Sequence, residues 1–440
     1  MRSPRLLLLA AKEFRELLAS RAYWLLLLMI GPLAGQGFIV AVNLYAEVSG
    51  AGGGAAALAE GISPLDGILV PTFGAYDLAV TLLFPFVAIR LVAAEKESGA
   101  LKLMLQAPSS IGYGIVAKGV VILGGWSIAW IPGLIALLLW KSYGGHLHAP
   151  ETMNLLLGHL LRVILSAGVA VAAAAVCNGA ATAAIVTLGF TVGTWALEFV
   201  ALGRGGILQQ FASYTPTAAL RVFEQGQLRL STVIVLLAAG VGGFALAAIW
   251  LHTGRGWRFR LLGSVDVFAV IAFLAMSGSL VRTTWDLSEN RRNSFSISDE
   301  AALRQIKEPL RIMVYLAPED PRLMDLERGI VGKLRVILPR VDVNYAAQSR
   351  SGLFESGEDR YGEVWYALGG RSVMSRSTTE AIVLEELYQL AGIQQPAASD
   401  EPGYPGYPLA ARPRNAAWIF CALWPLITCA AWWVNYKRRS

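Results

Sequence analysis

Eight apolar runs, each at or near the length that crosses a lipid bilayer, constrain this chain more than any other feature. A spanning helix needs roughly 20 consecutive apolar residues. Runs that reach or approach this length lie at about Ala22–Val42, Ala75–Ala94, Val116–Leu139, Leu155–Val176, Ala180–Ala201, Thr232–Leu251, Leu262–Val281 and Ala416–Val434. Between Leu155 and Ala201 only Cys177-Asn178-Gly179 interrupts the pattern. Two short helices joined by a tight turn fit that stretch better than one very long span. With 55% hydrophobic and 15% charged residues, the chain is too apolar for an ordinary soluble enzyme. Its charge is unevenly placed, and the region from Arg282 to Arg414 is as charged as a soluble domain.

Basic residues set the expected orientation. One side receives Arg2, Arg5, Lys12, Arg15, Arg21, Lys96, Lys102, Arg255, Arg258, Arg260, Lys437, Arg438 and Arg439, whereas the short loops of the other receive mainly Lys141, Arg162, Arg204, Arg221 and Arg229. Lys and Arg favour the cytoplasmic side, which places both termini and the loop after the second span in the cytoplasm and residues about 283–414 outside. The expected fold class is thus an α-helical polytopic membrane protein of about 8 transmembrane helices with a small extracytoplasmic α/β domain. Tyr23, Trp24, Trp140, Trp250, Trp257, Trp432, Trp433 and Tyr436 are expected as interfacial anchors. Glu198 is the one acid expected within a span, as a snorkelling residue, a partner of Arg204 or a proton-coupled group. Gly119, Gly124, Gly125, Gly168, Ala172 and Gly193 would permit close helix packing.

The first 21 residues are too charged for a cleavable signal. On a helix, Leu7, Ala11, Phe14 and Leu18 share one face with the charges largely opposite, as in a helix lying in the membrane interface. A charged anchor before the first span is the plainer alternative. Cys177, Cys421 and Cys429 all sit in apolar runs, so neither a disulfide framework nor a redox pair is expected. His146 and His148 form the only close histidine pair, a poor metal site that reads as loop. No Gly-x-x-x-x-Gly-Lys-Ser/Thr phosphate loop is present, and the Gly50–Gly54 tract lacks the lysine. The chain is expected to bind no nucleotide, cofactor or metal and no nucleic acid.

The outer region reads as a small α/β domain. A helix is expected from Asp299 to Lys307 with Ser296 or Ser298 as N-cap, a strand at Leu310–Leu316 and a helix at Pro321–Leu338. Strands follow at Val341–Tyr345, Glu363–Leu368 and Arg371–Ser375, turned by Gly369-Gly370, then a helix over Thr378–Leu390 ended by Gly392. This order is loosely thioredoxin-like without the cysteines. The domain holds no histidine, so no Ser-His-Asp set can form. Ser375, Arg376, Ser377 and Thr378 open a helix and could hold an anion, or simply cap it. Residues 396–414, rich in Pro, Gly and Tyr, read as an extended tether.

Three segments resemble parts of a known family. The run Pro85 to Ala94 leading into Glu95-Lys96-Glu97-Ser98-Gly99-Ala100-Leu101-Lys102 is similar to the second span and coupling loop of type-2 ABC export permeases. The segment Phe211 to Leu230, with Pro216, Phe223, Glu224, Gly226 and Gln227, resembles the short external helix before the sixth span of that family. After the seventh run, Asp286-Leu287-Ser288-Glu289, then Arg292, Ser294 and Ser296, is similar to the opening of the auxiliary subunit of gliding-motility-type ABC systems. The resemblance implies an interfacial elbow helix at 1–21, a six-span permease domain at 22–255, a seventh span at 262–282, an auxiliary domain at 283–395, a linker at 396–414 and an eighth span at 416–434.

It further implies the permease subunit of an ATP-driven exporter in a bacterial inner (plasma) membrane. ATP and Mg would bind a separate ABC ATPase subunit, so the chain itself is not expected to be an enzyme. That partner would grip the loop carrying Arg90, Glu95, Lys96, Glu97, Ser98, Gly99, Leu101 and Lys102. A second permease copy, or a paired permease, and membrane lipid complete the expected partners. The alternative is a non-transporting machine that passes ATPase strokes to its outer domain. An ordinary solvated loop is the plain reading of Glu95–Ser110.

Overall fold

The computed structural model describes residues 3–50, 63–100, 111–201, 208, 211–212, 214–252, 254, 256–281, 283–317, 320–346, 360–396, 404–409 and 411–438. Leu101, Lys102, Arg204 and residues 51–54 of the glycine-rich tract lie outside the described residues. Among those described, eight helices are long and apolar enough to cross a membrane. In chain order they are Arg21–Ser49, Leu65–Glu97, Ile111–Ser142, Ala149–Val176, Ala180–Glu198, Leu230–Trp250, Trp257–Gly278 and Ala416–Lys437. Each contains most of one apolar run, and Cys177 to Gly179 separates the fourth from the fifth as expected. Polar residues do not end the helices: the second starts at Leu65, ten residues ahead of its apolar run, and carries Asp66 and Asp77 within it. Helical backbone satisfies its own hydrogen bonds, so the helix outlasts the apolar pattern.

Close approach between the long helices uses glycine, most tightly at two crossings. On the first helix, a Cβ at Gly31 would lie 2.1 Å from Trp424 Cδ1, and one at Gly35 2.2 Å from Phe420 Cβ. Four-residue spacing puts both glycines on one face, where the eighth helix docks and Trp424 Nε1 donates to the Leu27 carbonyl at 2.6 Å. Between the fourth and sixth helices, a Cβ at Gly168 would lie 2.2 Å from the Gly240 carbonyl oxygen. Gly124 and Gly193 have no such neighbour within 4 Å and are not part of a crossing.

The second long helix bends in its middle. Its regular turns stop at Leu82 and resume at Phe84, just before Pro85. Proline has no N–H to give the carbonyl four residues back, which is Thr81. Thr191 of the fifth helix fills the gap, its hydroxyl donating to the Thr81 carbonyl at 3.0 Å.

Helix Ser3–Ala19 precedes the first long helix and packs against the third. Its inner face differs from the expected one. Glu13 and Leu17 are fully buried, with Ala10, Phe14 and Leu18 half-buried, while Leu7 and Leu8 are exposed. The stripe turns because Glu13 is drawn into an ionic cluster described below. Tyr23 and Trp140 also depart from the anchor expectation. Both are buried, Tyr23 donating to the Gly125 carbonyl and Trp140 to that of His146. Trp257, Trp432, Trp433 and Tyr436 are exposed. Asn435 Nδ2 donates to the Leu18 carbonyl at 2.7 Å, so the eighth helix ends beside the first 20 residues. We call this the basic end of the bundle.

The sheet domain meets the opposite end. Strands β1 (Gln227–Arg229) and β2 (Thr284–Asp286) pair antiparallel, stitching the entry of the sixth helix to the exit of the seventh. A second sheet holds β3 (Leu310–Val314), β4 (Val341–Tyr345), β5 (Val364–Leu368) and β6 (Arg371–Ser375) in the order β4-β3-β5-β6. Only the β3–β4 pair is parallel. Alternation along β3 and β5 buries Leu310, Ile312, Val314, Val364, Tyr366 and Leu368 on one face. Helices Ile297–Leu303, 321–337 and Glu380–Ala391 contribute to that same core. Ser296 caps the first, its hydroxyl accepting from Asp299 N at 3.1 Å. Gly392 ends the last at φ 68°, and Gly369-Gly370 turns the β5–β6 hairpin. The expected strand at Glu363 begins one residue later, and the expected Leu310–Leu316 strand stops at Val314.

Candidate functional site

The basic end is built on buried charge. Lys118 Nζ, on the third long helix, lies 2.6 Å from Glu13 Oε2 and 2.9 Å from Glu95 Oε2. It also donates to the Leu91 carbonyl at 2.7 Å. Lys12 Nζ reaches Glu95 Oε1 at 2.5 Å, Glu16 at 3.1 Å and Glu13 at 3.4 Å. Lys118 and Glu13 are at most 3% exposed and Glu95 4%. Such charges stay ionised out of water only when paired and hydrogen-bonded. The cluster therefore locks the N-terminal helix to the second and third long helices. Glu13, Glu16 and Glu95 oxygens lie within 4.8 Å of one another, and the two ammonium groups fill the space a cation would take.

The expected partner-facing residues are split by this arrangement. Glu95 points inward and is not available to a partner. Lys96 is half-buried and donates to the carbonyls of Ala174, Ala175 and Cys177 at 3.2, 2.8 and 2.6 Å, capping the fourth helix. Ser98 ends the second helix, and Gly99 follows at φ 73°. Arg90, Glu97 and Ser98 are exposed. Arg90 and Glu97 line an open cleft of 330 Å³ with Ala22, Phe86, Ile89 and Ala184, at the meeting of the first, second and fifth helices. Neither makes an ion pair among the described residues. The surface offered at this end is thus an alanine-floored groove with one base and one acid on its rim.

At the domain end, the Asp286 to Ser296 motif is a joint, not an open site. Asp286 accepts from Ser288 N and Oγ at 3.0 and 2.5 Å, from Asn293 N and Nδ2 at 2.9 and 3.1 Å, and from Ser294 Oγ at 2.8 Å. One carboxylate thereby folds the whole turn. Its outer groups grip the bundle. Leu287 N donates to the Gly226 carbonyl at 2.9 Å, and Arg292 Nε and Asn293 Nδ2 donate to the Gln225 carbonyl at 3.2 and 2.7 Å. Gly226 has φ 79°, and a Cβ there would lie 2.8 Å from Ser288 Cβ. Arg292 also pairs with Asp66, at the start of the second long helix.

Glu289 joins three more elements. His146 Nε2 lies 2.8 Å from its Oε1, Tyr407 OH donates to the same oxygen at 2.6 Å, and its own N donates to Glu151 of the fourth helix at 3.1 Å. The Tyr407 ring stacks on His146 at 3.7 Å, and its hydrogen bond to Glu289 pushes the phenol up to about 12. Residues 404–409 are therefore no free tether. Tyr45 OH donates to the Tyr407 carbonyl at 2.7 Å, and Ser49 exchanges hydrogen bonds with Leu409.

At the Ser375 to Thr378 start the polar groups have partners within the domain. Arg376 turns to Glu363 at 3.2 Å. Ser375 Oγ accepts from Ser377 N and Ser377 Oγ from Thr379 N, so the hydroxyls serve the local turn.

One group of residues escaped the sequence reading. Arg162, counted there as a loop residue, is 1% exposed in the middle of the fourth helix. Its Nε donates to Asp77 at 3.0 Å and its Nη2 to Thr81 Oγ1 at 3.3 Å, both on the second helix beside the bend. His159, one turn earlier, is also 1% exposed and lies against Phe73. Glu198 is not the only acid within a long helix, since Asp77 is another. Glu198 pairs with Arg221 at 2.9 Å. The available signal was Asp77 inside a predicted span, since an ionisable residue there calls for a partner. No family model matches this chain, and no curated protein or solved structure matches it either.

Proposed function

We propose that the chain is the membrane-spanning subunit of an ABC-type system, driven by a separate ATPase bound at the basic end and passing its movement to the sheet domain. The observation that carries this reading is the second long helix. At one end it holds Glu95 in the buried cluster and Arg90 and Glu97 on the rim of the groove. At the other end it holds Asp66, paired with Arg292 of the joint. Its 33 residues span about 50 Å at 1.5 Å per residue. A movement of its basic end reaches the joint through one element, with the bend at Pro85 as the place where the two halves can change angle.

In this reading the basic end is cytoplasmic, the domain end extracytoplasmic, and the protein resides in a bacterial plasma membrane. The basic-residue asymmetry supports that orientation, and moving Arg162 out of the loop count strengthens it. A second copy or a paired permease completes the assembly. ATP and Mg belong to the partner.

Export is the second reading. It is favoured by the Asp77–Arg162 pair, which places charge within a bundle of otherwise apolar helices. The sequence resemblance to gliding-motility-type permeases supports an ABC system in either mode.

A pull-down in detergent tests the shared premise. The intact chain is compared with an Arg90→Glu/Glu97→Arg variant, whose changes lie on the surface and leave the buried cluster untouched. Capture of an ATPase by the intact chain and its loss by an equally stable variant is the expected result. Equal capture by both, or capture by neither, contradicts the assignment.

A further inference from the structure

The external helix Pro216–Glu224 packs on the fourth and fifth long helices at the domain end, held by Asn154 Nδ2, which donates to the Phe223 and Gln227 carbonyls at 3.3 and 3.2 Å. Beneath it, two ion pairs join four elements. Asp77 of the second helix pairs with Arg162 of the fourth, and Glu198 of the fifth with Arg221 of the external helix, with Glu224 one helical turn beyond Arg221.

Among the described residues the charges do not balance. Arg162 is matched to Asp77 at 3.0 Å and Arg221 to Glu198 at 2.9 Å. Three carboxylates therefore face two guanidinium groups, and Glu224 makes no ion pair among the described residues. Glu198 is 8% exposed, and its Oε2 is buried with no donor. The remaining ionisable groups on the packed elements are engaged elsewhere or buried against the first of these pairs. Glu151 accepts from Glu289 N, Arg229 Nε donates to Gln227, and His159 is buried beside Asp77 and Arg162. No three of these carboxylate oxygens come within metal-binding distance, because the one such group among the described residues is at the basic end. A half-buried carboxylate without a counter-charge, set among other acids, takes up a proton.

We propose that Glu224, one helical turn from the Arg221–Glu198 pair, is a proton-binding site at the domain end, for which Arg162 and Arg221 are fixed counter-charges. Arg221, roughly half exposed, marks the mouth of the site. Burial, followed by the charge of Asp77, pushes the Glu224 carboxyl up to about 7. The site thus exchanges its proton near neutral pH, and its occupancy changes the charge against which the second, fourth and fifth helices pack. Nothing in this inference requires an ATPase.

Infrared titration of the full chain in lipid nanodiscs between about pH 5 and about pH 9 tests it. The expected result is a protonated-carboxyl band that titrates near neutrality, disappears in Glu224→Gln and persists in the basic-end control Glu16→Gln. Glu198→Gln frees Arg221 to face Glu224, so the midpoint moves to lower pH. That shift carries the test if Glu224→Gln does not fold. A neutral-range band unchanged by Glu224→Gln, or an unmoved midpoint in Glu198→Gln, overturns the proposal. So does a band absent from the wild type and present in Arg204→Gln, because Arg204 would then be the missing counter-charge.

Discussion

The ionic cluster of the basic end and the joint at the domain end hold charge in opposite ways. At the basic end Glu13, Glu95 and Lys118 are almost wholly removed from water and lock three helices together. At the domain end Arg292, Asp66, Glu289 and His146 keep 17–42% of their side chains exposed while joining segments far apart in sequence. A buried pair is costly to break because the abandoned charge stays buried, whereas a half-exposed pair can open to water at small cost. The basic-end cluster is therefore the harder of the two to open, and the joint the easier.

The sharpest way to break this contrast is Lys118→Met. It leaves Glu13 and Glu95 short of their shared ammonium and is expected to destabilise the protein by about 3–5 kcal/mol. Thermal melting of the purified protein measures it. A loss below about 1 kcal/mol would place that end with ordinary surface pairs.

Much of the architecture was legible beforehand for a local reason. Hydropathy marks a spanning-length helix without knowledge of its neighbours, and Ser296, Gly369-Gly370 and Gly392 act on their own backbone. What was not legible depends on partners distant in sequence. Arg162 looks like a loop residue until Asp77, 85 residues away, is seen beside it. Glu95 and Glu97 are two residues apart in one charged run, and only packing shows that the first faces Lys118 and the second the groove. The Asp286 motif stood out in the sequence, but its work as a joint depends on Gly226, Gln225 and Asp66. The shift of the N-terminal helix face has the same origin, since Glu13 is buried only because Lys118 waits for it.

Asp286→Ala probes the joint. Five donors lose their acceptor, two of them backbone N–H groups, for an expected cost of about 2 kcal/mol. Hydrogen exchange should show faster exchange confined to residues 284–294, with the basic end unchanged. Spread of that effect to residues 84–99 would mean that the joint also holds the far end in place.

A smaller effect separates the sheet domain's own stability from the joint. Asp320 caps helix 321–337, and hydrogen bonds from Arg322, with that from Tyr361, hold its carboxyl down at about 2. Its folded value lies below the unfolded 3.8, so the stabilisation is full above that value and lost as pH falls through about 2. Because Arg322 is nearly half exposed, Asp320→Asn should cost only about 1 kcal/mol near neutral pH. Denaturant titrations at neutral pH and about pH 3 should show the gap narrowing in acid. The smallest expected change is in Arg90→Glu/Glu97→Arg, at most about 0.5 kcal/mol in stability, since both groups sit on the surface without ion pairs among the described residues.

The central claim, that movement at the basic end reaches the joint through the second long helix, is tested most directly by hydrogen exchange on the ATPase-bound complex with and without ATP. The account predicts that ATP changes exchange both in residues 84–99 and in residues 284–294. A change confined to residues 84–99, with the joint indifferent to ATP, would contradict it.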